Sequence, residues 1–269
     1  GKLAIKIINR LNKLAKAYGV QQRRTYAKDV KNLRLALRHF RHAKRRGKAK
    51  KALKRLRTLA HVLIRELRRT LPKCDLFETH QKNFLFYERV LAQNPKDSDK
   101  IYSLHEPSVY CVAKGKDHKP YEYGNKVSIA ATATGNIIVG VVSHETNVYD
   151  GHTLPDILSH VETSRGKAAK AAVCDRGYRG TKLIGNTRII LPSAPLKRDS
   201  RYQRDQKRKR CQRRAAIEPV IGHLKSDFRL ARNYLKGVAG NIANALLAAT
   251  AWNLKLWLRA FLLWFWSTL

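Results

Sequence analysis

Lys126-Val127-Ser128-Ile129-Ala130 and Asn136-Ile137-Ile138-Val139-Gly140-Val141-Val142, with the turn residues Thr134-Gly135 between them, decide the fold class of this chain. Here the apolar pattern leaves the helical period, and the two runs read as strands of a hairpin. Downstream, residues 155–161 read as a short helix. Ala171-Ala172-Val173-Cys174 is a small apolar run that ends at Asp175, and residues 187–191 form another strand-like run stopped by Pro192. Residues 198–214 are a basic tract expected to be flexible. From about residue 215 to the end the pattern is helical again, with a loop at Gly237-Val238-Ala239-Gly240.

Upstream of the hairpin, residues 1–72 read as wholly helical. Apolar residues recur at Leu3, Ile7, Leu11, Leu14 and Tyr18, then at Val30, Leu33, Leu37 and Phe40, then at Leu53, Leu56, Ala60, Leu63, Leu67 and Leu71. Steps of three and four place each set on one helical face. Gly19-Val20 and Arg46-Gly47 are expected to separate the helices. Residues 73–124 are mixed, with a turn at Asn94-Pro95-Lys96-Asp97. The order predicts a mixed α/β protein with its strands clustered in the middle. Two regions are expected: 1–72, basic and all-helical, and 73–269, carrying the strands and the C-terminal helices.

The charge is extreme. Lys and Arg number 56 against 19 Asp and Glu, a formal net of +37. Such a surplus repels itself and attracts a polyanion, and nucleic acid carries one phosphate charge per ~1.7 Å of duplex axis. Asp29 and Glu66 are the only acids in the first 70 residues. A solvated helical face usually mixes signs, so Arg41, Lys44, Arg45, Arg46, Lys50 and Lys51 are the expected phosphate-contacting residues. Cys74, Cys111, Cys174 and Cys211 lie too far apart for zinc-ligand spacing. The opening residues do not read as a signal peptide, and none is expected. Residues 245–269 are rich in Leu, Ala and Trp, but Lys255 and Arg259 interrupt them, so a packed terminal helix is expected in preference to a membrane span. The expected location is the cytoplasm, at the nucleoid.

Two places could carry chemistry. Asp175 stands at the tip of what reads as a buried strand, where rigid backbone aims a metal ligand, and Gly177 lets the chain turn after it. Strand-end aspartates also cap loops. Arg214, Glu218 and Lys225 are spaced by four and seven and share a helix face if the helix is continuous. A carboxylate between two cations suits a site for a divalent metal and a phosphate, and it equally suits an ordinary salt-bridged surface. Pro219 leaves two options. Either the helix begins near Pro219 and Arg214 leaves the shared face, or the first turn starts at Ala215 and tolerates the proline.

Several stretches, in order, carry a resemblance. They are Ile101-Tyr102-Ser103-Leu104-His105-Glu106-Pro107, Tyr121-Glu122-Tyr123-Gly124-Asn125-Lys126-Val127, Tyr149-Asp150-Gly151-His152-Thr153-Leu154 and Cys174-Asp175-Arg176-Gly177-Tyr178-Arg179-Gly180. Arg214-Ala215-Ala216-Ile217-Glu218-Pro219-Val220-Ile221-Gly222-His223-Leu224-Lys225 and Arg232-Asn233-Tyr234-Leu235-Lys236-Gly237 follow. The chain resembles the DDE transposases of insertion sequences, in particular the insertion-sequence-five family, along nearly its whole length.

The resemblance implies an RNase H-like catalytic core, with Asp175 as the second acid of a triad and Glu218 as the third. Arg214 and Lys225 fall at the family's auxiliary cationic positions, while Cys211 stands where the family has a tyrosine. The first acid belongs on the first strand of the core, ahead of the basic helices. Asp29, Asp117 and Asp150 do not fit that place, so the resemblance implies that the first strand and its aspartate lie upstream of Gly1. The absence of any Met points the same way. The implied cofactor is Mg²⁺ or Mn²⁺, with two ions ~4 Å apart in the complete site. The implied partners are double-stranded DNA, namely terminal inverted repeats and target DNA, and a second subunit in a homodimer; no membrane is implied. The competing readings are a non-catalytic basic nucleic-acid-binding protein and, more remotely, a peripheral membrane protein using the Trp-rich tail.

Overall fold

A computed structural model describes residues 1–74, 76–113 and 120–268, apart from the side chains of Arg41 and Arg176. The chain divides into two compact units, Gly1–Pro107 and Ser108–Leu269.

The first unit is helical: α1 (Lys2–Ala17), α2 (Ala27–Leu37), α3 (Arg46–Thr70) and α4 (Phe77–Ala92). Its core is assembled from one face of each long helix. Ile7, Ile8, Leu11 and Ala15 come from α1, and Leu56, Leu59, Leu63, Ile64 and Leu67 from α3. Phe84, Val90 and Leu91 come from α4, while α2 adds only Val30 as a buried residue. The steps of three and four in the sequence become these faces. The expected break at Arg46-Gly47 does not occur. Two 3₁₀ turns, Arg38–Arg41 and Ala43–Arg45, fill the gap, and Arg46-Gly47 opens α3. Helix α4 lies in the stretch that reads as mixed. Arg68 fastens it to α3 through a bidentate pair to Glu88 (3.0 and 2.8 Å) and a bond from Nε to Gln81 (3.2 Å).

The second unit holds the strands. β1 (Tyr110–Ala113) and β2 (Tyr121–Gly124) form one antiparallel pair, which the sequence reading missed. β3 (Lys126–Ala131) and β4 (Ile138–His144) form the expected hairpin, with Ile129 opposite Val141 and a register shift at Ala130/Ala131. Its turn uses consecutive left-handed residues, Gly135 (φ 81°) and Asn136 (φ 53°). Helix α5 (Asp150–Arg165) is longer than the 155–161 segment expected and packs on β4. Gly140 permits this approach, since a Cβ there would stand 2.7 Å from Val161 Cγ2. β5 (Ala171–Val173), β6 (Leu183–Ile184) and β7 (Thr187–Ile190) form a second sheet in the order β5-β7-β6, with β5 and β7 parallel. The mixed α/β class is thus as expected, but β5 is an edge strand whose Ala171 and Val173 are exposed, in place of the buried strand read from its apolar letters. A three-residue run of small residues carries too little apolar area to require burial on both faces.

Helices α6 (Arg201–Ala215), α7 (Ile217–Ser226) and α8 (Gly237–Ser267) complete the unit. Helix α6 corrects the expectation of a flexible tract. Ser200 caps it, accepting from the Gln203 N–H while the Gln203 side chain accepts from the Ser200 N–H. Val220 and Leu224 of α7 and Ala245, Ala248, Ala249 and Trp252 of α8 close a core over Ile138 and Val141. Asn253 clips α8 to the hairpin, its amide accepting from the Ile138 N–H (2.9 Å) and donating to the Ile138 carbonyl (2.8 Å). Beyond Asn253 the terminal helix departs from the packed helix expected. Trp257, Trp264 and Trp266 are 60–71 % exposed. Lys255 and Arg259 do not disqualify the helix as a membrane candidate, since by length and composition alone it is long and apolar enough to cross a bilayer.

Two outcomes follow for stability. Leu63→Ala, at a fully buried site in α3, is expected to cost about 2–5 kcal/mol in chemical denaturation, the usual price of an unfilled aliphatic cavity. His144 is buried beside Ser128 Oγ (2.9 Å), and burial holds its pKa below the ordinary 6.5, aided by Lys126 and opposed by Asp156. The unfolded chain therefore binds the proton more readily, so stability is full above pH ~6.5 and declines as pH falls toward the lower native value. Thermal midpoints at neutral and mildly acidic pH should show the decline in the native chain and a smaller one in His144→Gln.

Candidate active site

The site starts at the end of β5. The Cys174 N–H donates to the Ile190 carbonyl (2.9 Å), which extends the ladder one residue and fixes the backbone that delivers Asp175. A 3₁₀ turn, Arg176–Tyr178, follows, closed by the Tyr178 N–H on the Asp175 carbonyl (3.1 Å). Burial pushes the Cys174 thiol up to about 11, so this cysteine supplies no thiolate near neutral pH. Burial also raises the Tyr178 hydroxyl, with Asp150 and Asp175 acting in the same direction and a hydrogen bond with Thr153 opposing.

Gly177 serves close approach. Its φ is not in the left-handed region, but a Cβ there would meet Asp150 Oδ2 at 3.0 Å. Asp150, the first residue of α5, is held in turn by Lys126 at the start of β3, with Nζ 2.8 Å from Oδ1 and 2.5 Å from the Val148 carbonyl. The sequence reading set Asp150 aside on topological grounds. The structure places its carboxylate against the loop that presents Asp175, already engaged by a lysine. Lys126 and Tyr178 are further neighbours of the Asp175 loop that the sequence did not single out. Each, like Asp150, lies inside one of the quoted motif stretches, but only the fold shows that the three stretches meet. Asp29 lies on α2 in the other unit, and Asp117 lies outside the described residues.

The second carboxylate arrives from α7. Helix α6 ends at Ala215, Ala216 joins the two helices, and Glu218 and Pro219 occupy the first turn of α7. Proline is tolerated there because first-turn N–H groups have no intrahelical partner, and Glu218 lies where the helix dipole favours negative charge. Of the two options the sequence left open, a helix starting just before Pro219 is the one found, yet Arg214 stays with Glu218.

Arg214 joins the two halves. Its Nη2 lies 2.8 Å from Asp175 Oδ2 and its Nη1 lies 2.7 Å from Glu218 Oε1. The hydrogen bond to Asp175 raises the pKa of the guanidinium further, and Glu218 adds to it. The two carboxylates, 43 residues apart, therefore converge on one planar cation. Both acids are more than half exposed, so the ion pairs themselves add at most about 1 kcal/mol. Lys225 is exposed two turns further along α7 and forms no ion pair with either acid among the described residues. Cys211 donates to the Ser193 carbonyl (3.5 Å).

The donor chemistry fits a hard divalent ion, since both groups offer carboxylate oxygens open to water. The set is incomplete: among the described residues no group of three His, Cys, Asp or Glu side chains forms a ligand cluster. In the helical unit, Lys44, Arg45, Arg46, Lys50 and Lys51 are all exposed around the start of α3, and the side chain of Arg41 lies outside the described residues. The first turn of α3 holds no acid. Cations crowd the helix end whose dipole favours anions, which makes this surface electrostatically unfavourable unless an anion binds it.

A profile of the family described as the transposase DDE domain matches residues 90–254, more than half of the chain, and the match contains Asp175, Arg214, Glu218 and Lys225. No curated protein and no solved structure matches the chain. With mixed helix and sheet around two converging acids and a family match of this extent, the chain belongs to the transposase DDE domain family.

Proposed function

We propose that Asp175 and Glu218 are two of three carboxylates that hold Mg²⁺ or Mn²⁺ in a DNA strand-cleaving and strand-joining site, within an RNase H-like core of the insertion-sequence-five type. The observation that carries the reading is the convergence of both acids on Arg214. When bound, divalent ions in such a site supply a lowered pKa for the attacking hydroxyl and charge stabilisation for the leaving oxygen. Asp175 and Glu218 would hold the ions from β5 and α7, and Arg214 and Lys225 would hold phosphate oxygens of the DNA backbone beside them. Lys126 and Asp150 keep the Asp175 loop in place.

The third acid, in this reading, sits on a strand outside the present sequence that pairs with the edge of β5 left open among the described residues. The chain alone is then inactive, and double-stranded DNA, the terminal inverted repeats and target together, is the substrate of a dimer. A second reading is favoured by one specific feature. Arg214 satisfies both carboxylates, which leaves a protein that binds nucleic acid through its +37 charge without any metal.

Manganese binding separates the two. Electron paramagnetic resonance should show Mn²⁺ association with the native chain that is weakened about tenfold or more by Asp175→Asn and by Glu218→Gln, in the usual range for loss of a metal ligand or its support. Equal binding by all three proteins would sink the metal reading. Gly177→Ala, which sets a methyl group 3.0 Å from Asp150 Oδ2 and makes that carboxylate shift, should weaken Mn²⁺ binding while leaving Glu218 untouched, and a Gly177→Ala protein with native Mn²⁺ affinity would remove Asp150 from its supporting role. Strand transfer from a donor oligonucleotide is expected only after an aspartate-bearing strand is restored ahead of the helical unit.

A further inference from the structure

We propose that α6 is a duplex-backbone contact built beside the carboxylate pair, holding the phosphates that flank the reacting one. The inference rests on the reading of this unit as a DNA-processing site and names the element through which DNA is held there.

The sequence of α6, RYQRDQKRKRCQRRA, contains a single acid, and the helix has no buried residue. Apolar packing therefore does not explain why this segment is a helix held at this place. Its attachments are polar, and three of them lie on one side. Lys207 pairs with Asp199 (2.7 Å), Arg204 Nε donates to the Asp199 carbonyl (3.0 Å), and Arg214 reaches Asp175. Spacings of three and seven set these three residues along one face. The opposite face carries Tyr202, Lys209 and Arg213, at spacings of seven and four. Tyr202 is 73 % exposed, Lys209 faces solvent, and Arg213, exposed too, donates to the Ala133 carbonyl. Arg201 and Arg210 flank this face and are exposed as well. Asp205, the one acid, makes only a 3.6 Å pair with Arg208.

Like charges three and four apart destabilise a helix in water, and α6 places them throughout its length. Polyanion binding relieves this repulsion and turns it into attraction. Fifteen residues of helix extend ~22 Å, about two-thirds of a duplex turn, which suits a run of consecutive backbone phosphates. The helix is also anchored to both parts of the catalytic unit, since Arg213 donates to the Ala133 carbonyl in the hairpin turn and Arg214 holds the two acids. A duplex lying along the outer face of α6 is thereby placed with respect to Asp175 and Glu218.

The test uses the full chain, a fluorescent duplex of about 30 base pairs and no divalent metal, with anisotropy read across a salt series. The variant Arg201→Gln/Lys209→Gln/Arg210→Gln removes outward charges that make no contact with the carboxylates. The control Arg165→Gln/Lys167→Gln/Lys170→Gln removes the same charge from exposed positions elsewhere in the unit. Circular dichroism checks that both stay folded. Each neutralised phosphate contact contributes ~0.9 to the slope of log affinity against log salt, so the α6 variant should lose about 2–3 from the slope and bind about tenfold or more weakly near 0.1 M salt. The control should change little, and Arg201→Lys/Arg210→Lys should restore the native slope. An unchanged slope in the α6 variant, an equal loss in the control, or a loss confined to single-stranded oligonucleotide would each overturn the proposal. The Mn²⁺ measurement is independent: a slope loss without Asp175-dependent metal binding leaves α6 a DNA surface in a non-catalytic protein, whereas metal binding without a slope loss removes α6 alone.

Discussion

Two negative side chains and one positive one organise the second unit of this protein. Asp175 stands at the end of an edge strand and Glu218 in the first turn of a helix, and both reach the same guanidinium. The convergence constrains more than the site. It fixes where α6 must end, because Arg214 is one residue from its C-terminus, and it fixes the start of α7, because Glu218 must leave the chain within one turn of Ala216. Pro219 helps by ending the hydrogen-bond continuity between the two helices, so that α7 takes its own direction while its first turn remains beside α6. At this exposure the pairs contribute little stability. What they supply is placement, and the apolar contacts of Val220 and Leu224 beneath α7 supply the free energy that keeps the placement.

The helical unit and the hairpin were legible because their signals are periodic. Leu56, Leu63 and Leu67 repeat at helical spacing over a long segment, and Val127, Ile129, Val139 and Val141 bracket a Gly-Asn turn. Helix α4 was not, because Phe77, Phe84 and Leu91 are diluted by polar residues and the first turn holds no strong cap. The pair β1–β2 was hidden for a different reason. β1 is only four residues long with none buried, and the exposed and half-buried alternation of β2 carries tyrosines and a glutamate in place of an apolar stripe. The basic tract that became α6 offered nothing but charge, and the signal that mattered was local: Ser200 three residues before Gln203, a capping box.

The site divides along the same line. Asp175 and Glu218 could be named from motif and spacing, and Arg214 could be placed beside Glu218 by its four-residue step. That Arg214 also reaches Asp175, 39 residues earlier, is a tertiary fact. So is the position of Asp150, which the chain order does not bring near Asp175. A carboxylate at the start of α5 meets Gly177 only because α5 packs across the hairpin and reaches the 3₁₀ turn after β5. Sequence shows which residues have suitable chemistry, whereas crossing elements decide which of them meet.

Charge gives the two basic surfaces a common logic. At the start of α3, cations occupy the helix end that favours anions, and along α6 they repel one another with no apolar layer beneath. Neither arrangement is what folding alone selects, since both lower the stability of the free protein. Each is tolerated where its helix is anchored by something else, the leucine face of α3 in one case and the inward polar bonds of Arg204, Lys207 and Arg214 in the other. The two anchors differ in consequence. A helix with a hydrophobic face stays in place whatever the salt, whereas α6 is seated by polar bonds, among them those to Asp199 and to Asp175, which also belongs to the carboxylate pair. Arg214 thus belongs both to the polar seat of α6 and to the carboxylate pair, so a substitution at Asp175 removes one of the bonds that hold the helix.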